Sequence, residues 1–243
     1  MVLQINSLKC GYDAPLFTLD ALALSDGDAI TVVGQNGSGK STLLRTLCGL
    51  IAPLDGGVRV DGSHLSSLDA RMRAQKITML MQMQSLDNGT SVHELVCLGR
   101  TPYLGRFAHL SGTDKSAVDE AIDICDLRGL AYKPLGRISG GERQRARLAM
   151  VLAQQTRIVL LDEPTNHLDV SHRHALYTII EHIREERGCV VVMVCHSLED
   201  AKRFAERTML IHRGQTKLFH RSDFDALKIE IQQNTGVPAD WVY

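Results

Sequence analysis

Four runs of the chain are apolar at nearly every position, and each stops at a residue with ionic or hydrogen-bonding chemistry. Ala29-Ile30-Thr31-Val32-Val33 runs into Gly34, and Ile77-Thr78-Met79-Leu80-Met81 into Gln82. Ile158-Val159-Leu160-Leu161 runs into Asp162-Glu163, and Val190-Val191-Val192-Met193-Val194-Cys195 into His196. Short and rich in β-branched residues, these read as strands. Helical periodicity is expected over Ser41–Leu47, Val92–Leu98, Ala117–Leu127, Arg143–Gln154 and Val170–Arg187. A β-rich start, Val2–Asn6 with Val58–Gly62, brackets the first strand–helix unit. A hairpin is expected from Met209–Ile211, a turn at Arg213-Gly214, and Thr216–Phe219. The pattern predicts an α/β chain with a parallel-sheet core and a mainly helical insertion in its middle, beginning near Thr90. Ligands of open α/β sheets sit outside the carboxyl ends of the strands. The loop at Gly34, Gln82, Asp162, Glu163 and His196 are therefore expected at one site.

Composition narrows the class. The 243 residues, 44% hydrophobic, suit one large domain or a domain with a small subdomain. A formal net charge of -1 gives no global reason to expect nucleic acid or an anionic membrane surface as partner. Cys10, Cys48, Cys97, Cys125, Cys189 and Cys195 form no CxxC and no zinc-like spacing, so they read as reduced, mostly buried residues of a cytosolic protein. No run approaches the roughly 20 apolar residues of a membrane span. The start, Val2-Leu3-Gln4-Ile5, carries no expected secretory leader. Action at a membrane would need another chain to do the spanning.

The strongest chemical signal is Gly34-Gln35-Asn36-Gly37-Ser38-Gly39-Lys40-Ser41-Thr42, set between a strand and a helix. That is the context a phosphate-binding P-loop requires. Its glycines let backbone N–H groups turn inward at a triphosphate, and the helix adds its positive dipole end. Lys40 supplies a mobile charge for the outer phosphates, and Ser41 a hydroxyl for Mg²⁺. Asp162 fits a Mg²⁺ role and Glu163 the orientation or deprotonation of an attacking water. Ser139-Gly140-Gly141-Glu142 opens a helix as a capping box, and the same geometry makes a second anion site. Tyr12 could pack on the surface or stack on adenine. Gln82 has a weaker rival in Gln84. His172 and His174, two apart on a helix, do not share a face and so do not suggest a metal site. Arg143, Arg145 and Arg147 read as a solvated helix surface.

Taken together these residues resemble the ATP-binding cassette of an ABC transporter, over roughly Leu3 to Phe219. The resemblance rests on Gly34–Thr42 as Walker A, Gln82 as Q-loop, Ile138-Ser139-Gly140-Gly141-Glu142 as signature, and Leu161-Asp162-Glu163-Pro164 as Walker B. Asn166-His167-Leu168-Asp169 stands as D-loop and His196 as switch histidine. Ile138 replaces the usual leucine, and Glu142 stands where glutamine is common. The implied fold is a P-loop NTPase core with a mainly parallel sheet, an antiparallel β subdomain and a helical insertion at about residues 90–140. The cassette would end near residue 226, with a short tail over 227–243. The resemblance implies ATP and Mg²⁺ as cofactors. Glu163, His196 and Gln82 would be catalytic, and Ser41, Gln82 and Asp162 would hold the metal. Nucleotide contacts would come from Tyr12, Gly34, Asn36, Gly37, Ser38, Gly39, Lys40, Ser41 and Thr42, and from Ser139, Gly140, Gly141 and Asp169. It further implies a head-to-tail dimer with two ATPs between the copies. Permease subunits would seat it at the cytoplasmic face of the membrane, with an extracytoplasmic binding protein as indirect partner and no nucleic acid. The segment Ser91–Gly105 is similar to that of importers for iron–siderophores, haem and cobalamin. An exporter or lipoprotein extractor shares the core chemistry. A soluble ABC ATPase of DNA repair or the ribosome is the more distant alternative, since the chain has one P-loop, no heptad array and no zinc spacing.

Overall fold

The computed structural model describes residues 1–82, 87–105, 109–166, 168–236 and 238. Its elements run β1 (Leu3–Gly11), β2 (Pro15–Leu24), β3 (Ala29–Val33), α1 (Lys40–Leu47), β4 (Asp55–Val60), β5 (Ser63–His64), α2 (Ala70–Lys76) and β6 (Ile77–Leu80). The helical stretch follows as α3 (Val92–Cys97), α4 (Gly112–Ile124) and α5 (Gly140–Ala153). The chain closes with β7 (Ile158–Asp162), α6 (Val170–Arg187), β8 (Val190–Val194), α7 (Leu198–Phe204), β9 (Arg207–His212), β10 (Gln215–His220) and α8 (Phe224–Thr235).

Among the described residues the strands form one 10-stranded sheet in the order β5-β4-β1-β2-β10-β9-β3-β8-β7-β6. From β9 to β6 the pairings are parallel, whereas β5-β4-β1-β2 is antiparallel. Side chains alternate across the parallel half, and each face buries its own set. Val33, Val159, Leu161, Val191 and Met193 join the core under α3–α8. Ile30, Val32, Ile158, Leu160, Val190 and Val192 join the core with α1 and the antiparallel strands. Thr31, in the middle of β3, is fully buried, and its hydroxyl pairs with that of Thr208 at 2.9 Å. A polar atom is thus accommodated in an otherwise apolar layer.

Several elements differ from the sequence pattern. The helix expected from Ala117 starts at Gly112, because Ser111 caps it and Asp114 returns the bond to the Ser111 backbone. Strand β2 is not marked by the sequence pattern: it exposes Asp20, Ala21 and Ala23 and buries Phe17, Leu19, Leu22 and Leu24 through its antiparallel pairing with β1. The division expected near residue 226 falls inside α8, whose Phe224, Leu227 and Ile231 lie in the same core as α6 and α7.

Candidate active site

Register places the four strand ends level with one another. Val32 pairs with Val194, Asp162 with Val194, and Leu80 with Leu161. The residues that follow, Gly34, His196, Glu163 and Gln82, therefore emerge along one edge of the sheet, as the strand pattern requires.

Glu163 is the centre of that edge. It sits in a left-handed backbone conformation, φ 50°. Its Oε2 accepts Gln82 Nε2 at 2.6 Å and Asn166 Nδ2 at 2.6 Å, and His196 Nε2 lies 2.7 Å from it. Three side-chain nitrogens converge on one carboxylate oxygen, each from a different segment, and none of the three contacts uses Oε1. A non-glycine residue held at positive φ marks a place where surrounding structure over-determines the backbone. Asn166 is the member whose role the sequence did not disclose. Its offset of three from Glu163 becomes meaningful only because the chain turns between them, with Asn166 N–H donating to the Glu163 carbonyl at 3.3 Å.

Beside Glu163, Asp162 is buried at the end of β7, 3% exposed. Burial pushes its carboxyl above the usual carboxylate range, a hydrogen bond from Ser41 opposes this, and the neighbouring Glu163 adds to it. Its Oδ1 is buried without a hydrogen-bond partner among the described residues. A hydroxyl and an unpartnered carboxylate oxygen, both hard donors, suit a divalent cation such as Mg²⁺. Gln82, the third expected metal residue, instead lies against Glu163.

The loop before α1 has the shape of an anion cradle. Lys40 is 6% exposed, and its Nζ donates to the carbonyls of Gly34 at 2.6 Å and Gln35 at 3.1 Å. Burial pushes its ammonium below the usual lysine range, and the Glu163 and Asp162 carboxylates pull it back. Gly39 has φ 103°, and a β-carbon there would lie 2.7 Å from the Phe17 ring. Glycine is thus demanded twice, by conformation and by space. Ser38 Oγ is buried without a partner among the described residues. Tyr12 is 54% exposed and its hydroxyl accepts Arg45 Nη1 at 3.3 Å, which leaves the ring presented beside α1.

Ser139, Gly140 and Gly141 open α5 with the expected capping box: Ser139 Oγ accepts Glu142 N–H at 3.2 Å, and Glu142 Oε2 accepts Ser139 N–H at 2.7 Å. Gly141 packs against the ring of His172 on α6. Asp169 caps α6, accepting His172 N–H at 2.8 Å. Two arginines of α5, Arg143 and Arg147, are not part of the solvated face that the sequence suggests. Arg143 donates to the Leu135 carbonyl at 2.9 Å, and Arg147 to that of Met81, immediately before Gln82. Gln144 donates to the Pro164 carbonyl at 2.7 Å, immediately after Glu163. One helix thus reaches both flanks of the site. Gln84 and His167 lie outside the described residues. Among the described residues, no group of three His, Cys, Asp or Glu side chains is arranged to hold a metal.

Comparison with known proteins decides the family. Residues 20–166 match the family described as ABC transporter. The chain belongs to the ABC transporter family. An ABC cassette of this kind binds nucleotide and is the ATPase subunit of a transporter. Among curated ABC relatives, the chain is 38% identical over 192 residues to the ferric enterobactin transport ATP-binding protein FepC of Escherichia coli (strain K12), covering 79% of this chain and 71% of that protein. It is 39% identical over 203 residues to the hemin import ATP-binding protein HmuV of Pseudomonas fluorescens (strain Pf0-1), covering 80% and 76%. Among solved ABC structures, an inward-facing transporter of the metal-chelate type superposes with a TM-score of 0.85 at 27% identity, covering 98% of this chain and 90% of that one. The dimeric cassette MJ0796, in a post-hydrolysis state bound to ADP and Pi, superposes with a TM-score of 0.77 at 26% identity, covering 90% and 98%. These likenesses extend to the whole architecture, the curled mixed sheet included. No helix among the described residues is long and apolar enough to cross a membrane.

Proposed function

We propose that this chain hydrolyses ATP to drive uptake of a metal chelate: an iron–siderophore, haem or cobalamin. The observation that carries the catalytic part is the convergence of Gln82, Asn166 and His196 on Glu163, beside the Ser41–Asp162 pair. ATP would lie along Gly34–Thr42 with adenine against Tyr12, and Lys40 would exchange the Gly34 and Gln35 carbonyls for the outer phosphates. Ser41 and Asp162, with Gln82 re-seated from Glu163, would hold Mg²⁺, which supplies charge neutralisation between those phosphates. Glu163 takes a proton from water as the water oxygen attacks the γ-phosphorus. The bond to the β-phosphate oxygen breaks and ADP leaves. His196 and Asn166 keep the Glu163 carboxylate oriented through Oε2 while Oε1 faces the water.

The second half of the site would come from another copy. Ser139, Gly140, Gly141 and Asp169 of one chain would meet the P-loop of its partner, so that ATP joins two helix N-termini from different chains. Binding then closes the dimer and hydrolysis releases it, a stroke that integral-membrane permease subunits convert to transport at the cytoplasmic face. An external binding protein would deliver the cargo, and nucleic acid plays no part. The likeness to proteins of ferric enterobactin transport and hemin import supports the cargo class.

Two experiments test this reading. Glu163→Gln should retain nucleotide binding while hydrolysis falls about 10²-fold or more, the scale of a lost general base; hydrolysis within a few-fold of wild type would remove Glu163 from that role. Deleting the gene and measuring uptake of labelled ferric siderophore, haem and cobalamin, with an amino acid and a sugar as controls, tests the cargo. A defect confined to the controls would refute the cargo class, and loss of export with normal uptake would favour the exporter.

A further inference from the structure

The loop between Glu163 and α6 is fastened to α5 at both of its ends. At its start, Gln144 of α5 donates to the Pro164 carbonyl at 2.7 Å. Just past its end, in the first turn of α6, stands His172. The His172 ring lies directly on Gly141, so closely that a β-carbon at Gly141 would fall inside it. On its other side the ring places Nδ1 at 2.9 Å from both Asp169 carboxylate oxygens. Since a carboxylate is acceptor-only, Nδ1 carries the proton in this bond. Asp169 is held from two further directions, by His172 N–H at 2.8 Å and by Ser171 Oγ at 2.8 Å. The imidazole is therefore a bracket with one contact on the glycine turn of α5 and one on the residue that ends the loop.

We propose that His172 is a positioning residue that locks Asp169 to the Ser139–Gly141 turn, so that both reach the nucleotide of a second copy as one rigid edge. The proposal rests on the head-to-tail reading above. It assigns Gly141 a reason beyond close approach to phosphate: any side chain there would expel the His172 ring. It also separates two jobs within one residue. The ring plane packs on Gly141, and the Nδ1–H orients Asp169. Without the bracket the two segments would sample orientations independently, and closing the dimer would cost the entropy of aligning both.

Three variants divide those jobs: His172→Ala removes both, His172→Phe keeps a ring without the donor, and His172→Asn keeps a donor near the Nδ1 position. His172→Ala should raise the ATP concentration for half-maximal hydrolysis about tenfold, the scale of one lost hydrogen bond to a charged group. The maximal rate should change much less, and nucleotide affinity of the isolated chain, read with a fluorescent ATP analogue, should stay within about twofold of wild type. His172→Asn should recover most of the loss and His172→Phe little of it. Equal defects in all three would overturn the orienting role. A double-mutant cycle tests the bracket without reference to assembly. Gly141→Ala should lower the thermal midpoint less in the His172→Ala background than in wild type, and additive effects would overturn the contact. Doubly tagged mixed dimers then locate the effect. Wild type paired with a chain carrying both Lys40→Ala and His172→Ala should show the raised ATP requirement. A Lys40→Ala chain paired with a His172→Ala chain should not. The reverse pattern would refute the head-to-tail reading even if the thermal cycle supports the bracket, and equal behaviour of the two mixtures would refute the proposal itself.

Discussion

Replacing Arg100 by methionine tests whether the segment around it, the one similar to metal-chelate importers, owes its shape to a single buried cation. Arg100 is 5% exposed and Asp114 6%. The guanidinium donates Nε to Asp114 Oδ1 at 2.9 Å and Nη1 to the Ala153 carbonyl at 2.7 Å, and lies 3.8 Å from the centroid of the Tyr103 ring. It thereby ties the turn after α3 to the starts of α4 and of the loop after α5. Methionine has comparable reach and makes none of these bonds. Breaking a buried pair costs about 3–5 kcal/mol when the remaining charge stands alone. Asp114 would not stand wholly alone, because Ser111 N–H at 3.0 Å and Ser111 Oγ at 2.6 Å would remain on it. The expected loss is therefore about 2–4 kcal/mol. In a protein whose total stability is about 5–15 kcal/mol this is a large share. It corresponds to a thermal midpoint lower by about 5–15 °C for a chain of this size. Urea titration and thermal melting followed by circular dichroism read it directly. Adding Asp114→Asn should recover part of the loss, since the uncompensated charge goes while the helix cap stays. The pH dependence has a defined sign. The Asp114 carboxyl is held below its ordinary range by the Ser111 hydroxyl, then by the Ser111 backbone N–H, then by Arg100. A depressed folded-state value contributes stability above the unfolded value that is lost as pH falls through the folded one. The gap between wild type and Arg100→Met should accordingly narrow below about pH 4. A variant within 1 kcal/mol of wild type at neutral pH, the scale of an ordinary surface change, would refute the reasoning.

Two further outcomes follow from close approaches and from the divided site. Gly39→Ala should weaken nucleotide binding about tenfold or more, because a left-handed residue with a side chain costs about 1–3 kcal/mol and the new carbon meets Phe17; fluorescent-nucleotide titration with unchanged affinity would contradict it. Ser139→Arg should block ATP-driven dimerisation in a Glu163→Gln background while the monomer still binds ATP, and analytical ultracentrifugation showing a dimer would contradict assembly through that turn.

How much of this was legible in the chain depends on the range of the interaction. The P-loop, the strand ends and the Ser139–Glu142 capping box are local: apolar runs, glycines at fixed offsets and a serine three residues before a glutamate carry their own physical meaning. The parallel core followed from the same runs, because a strand apolar on both faces must be covered on both. Strand β2 is not marked in the sequence because its burial is settled by pairing with β1, and α8 is not because its few apolar positions become a core stripe only once Phe224, Leu227 and Ile231 meet α6 and α7. Tertiary structure alone decided the roles of side chains with reach. Arg143 and Arg147 look like solvated charges in sequence, yet Arg143 finds the Leu135 carbonyl in the turn before its helix and Arg147 the Met81 carbonyl at the end of a distant strand. Asn166 reads in sequence only as the first residue of the D-loop until the turn brings it to Glu163 beside Gln82 and His196. His172 is one of two histidines in an unpromising pair until the crossing of α5 and α6 sets its ring on Gly141. Backbone hydrogen bonding and hydrophobic period are written into neighbouring residues. The partner of a long polar side chain is not, because that partner is chosen by the packing of elements far apart in the chain.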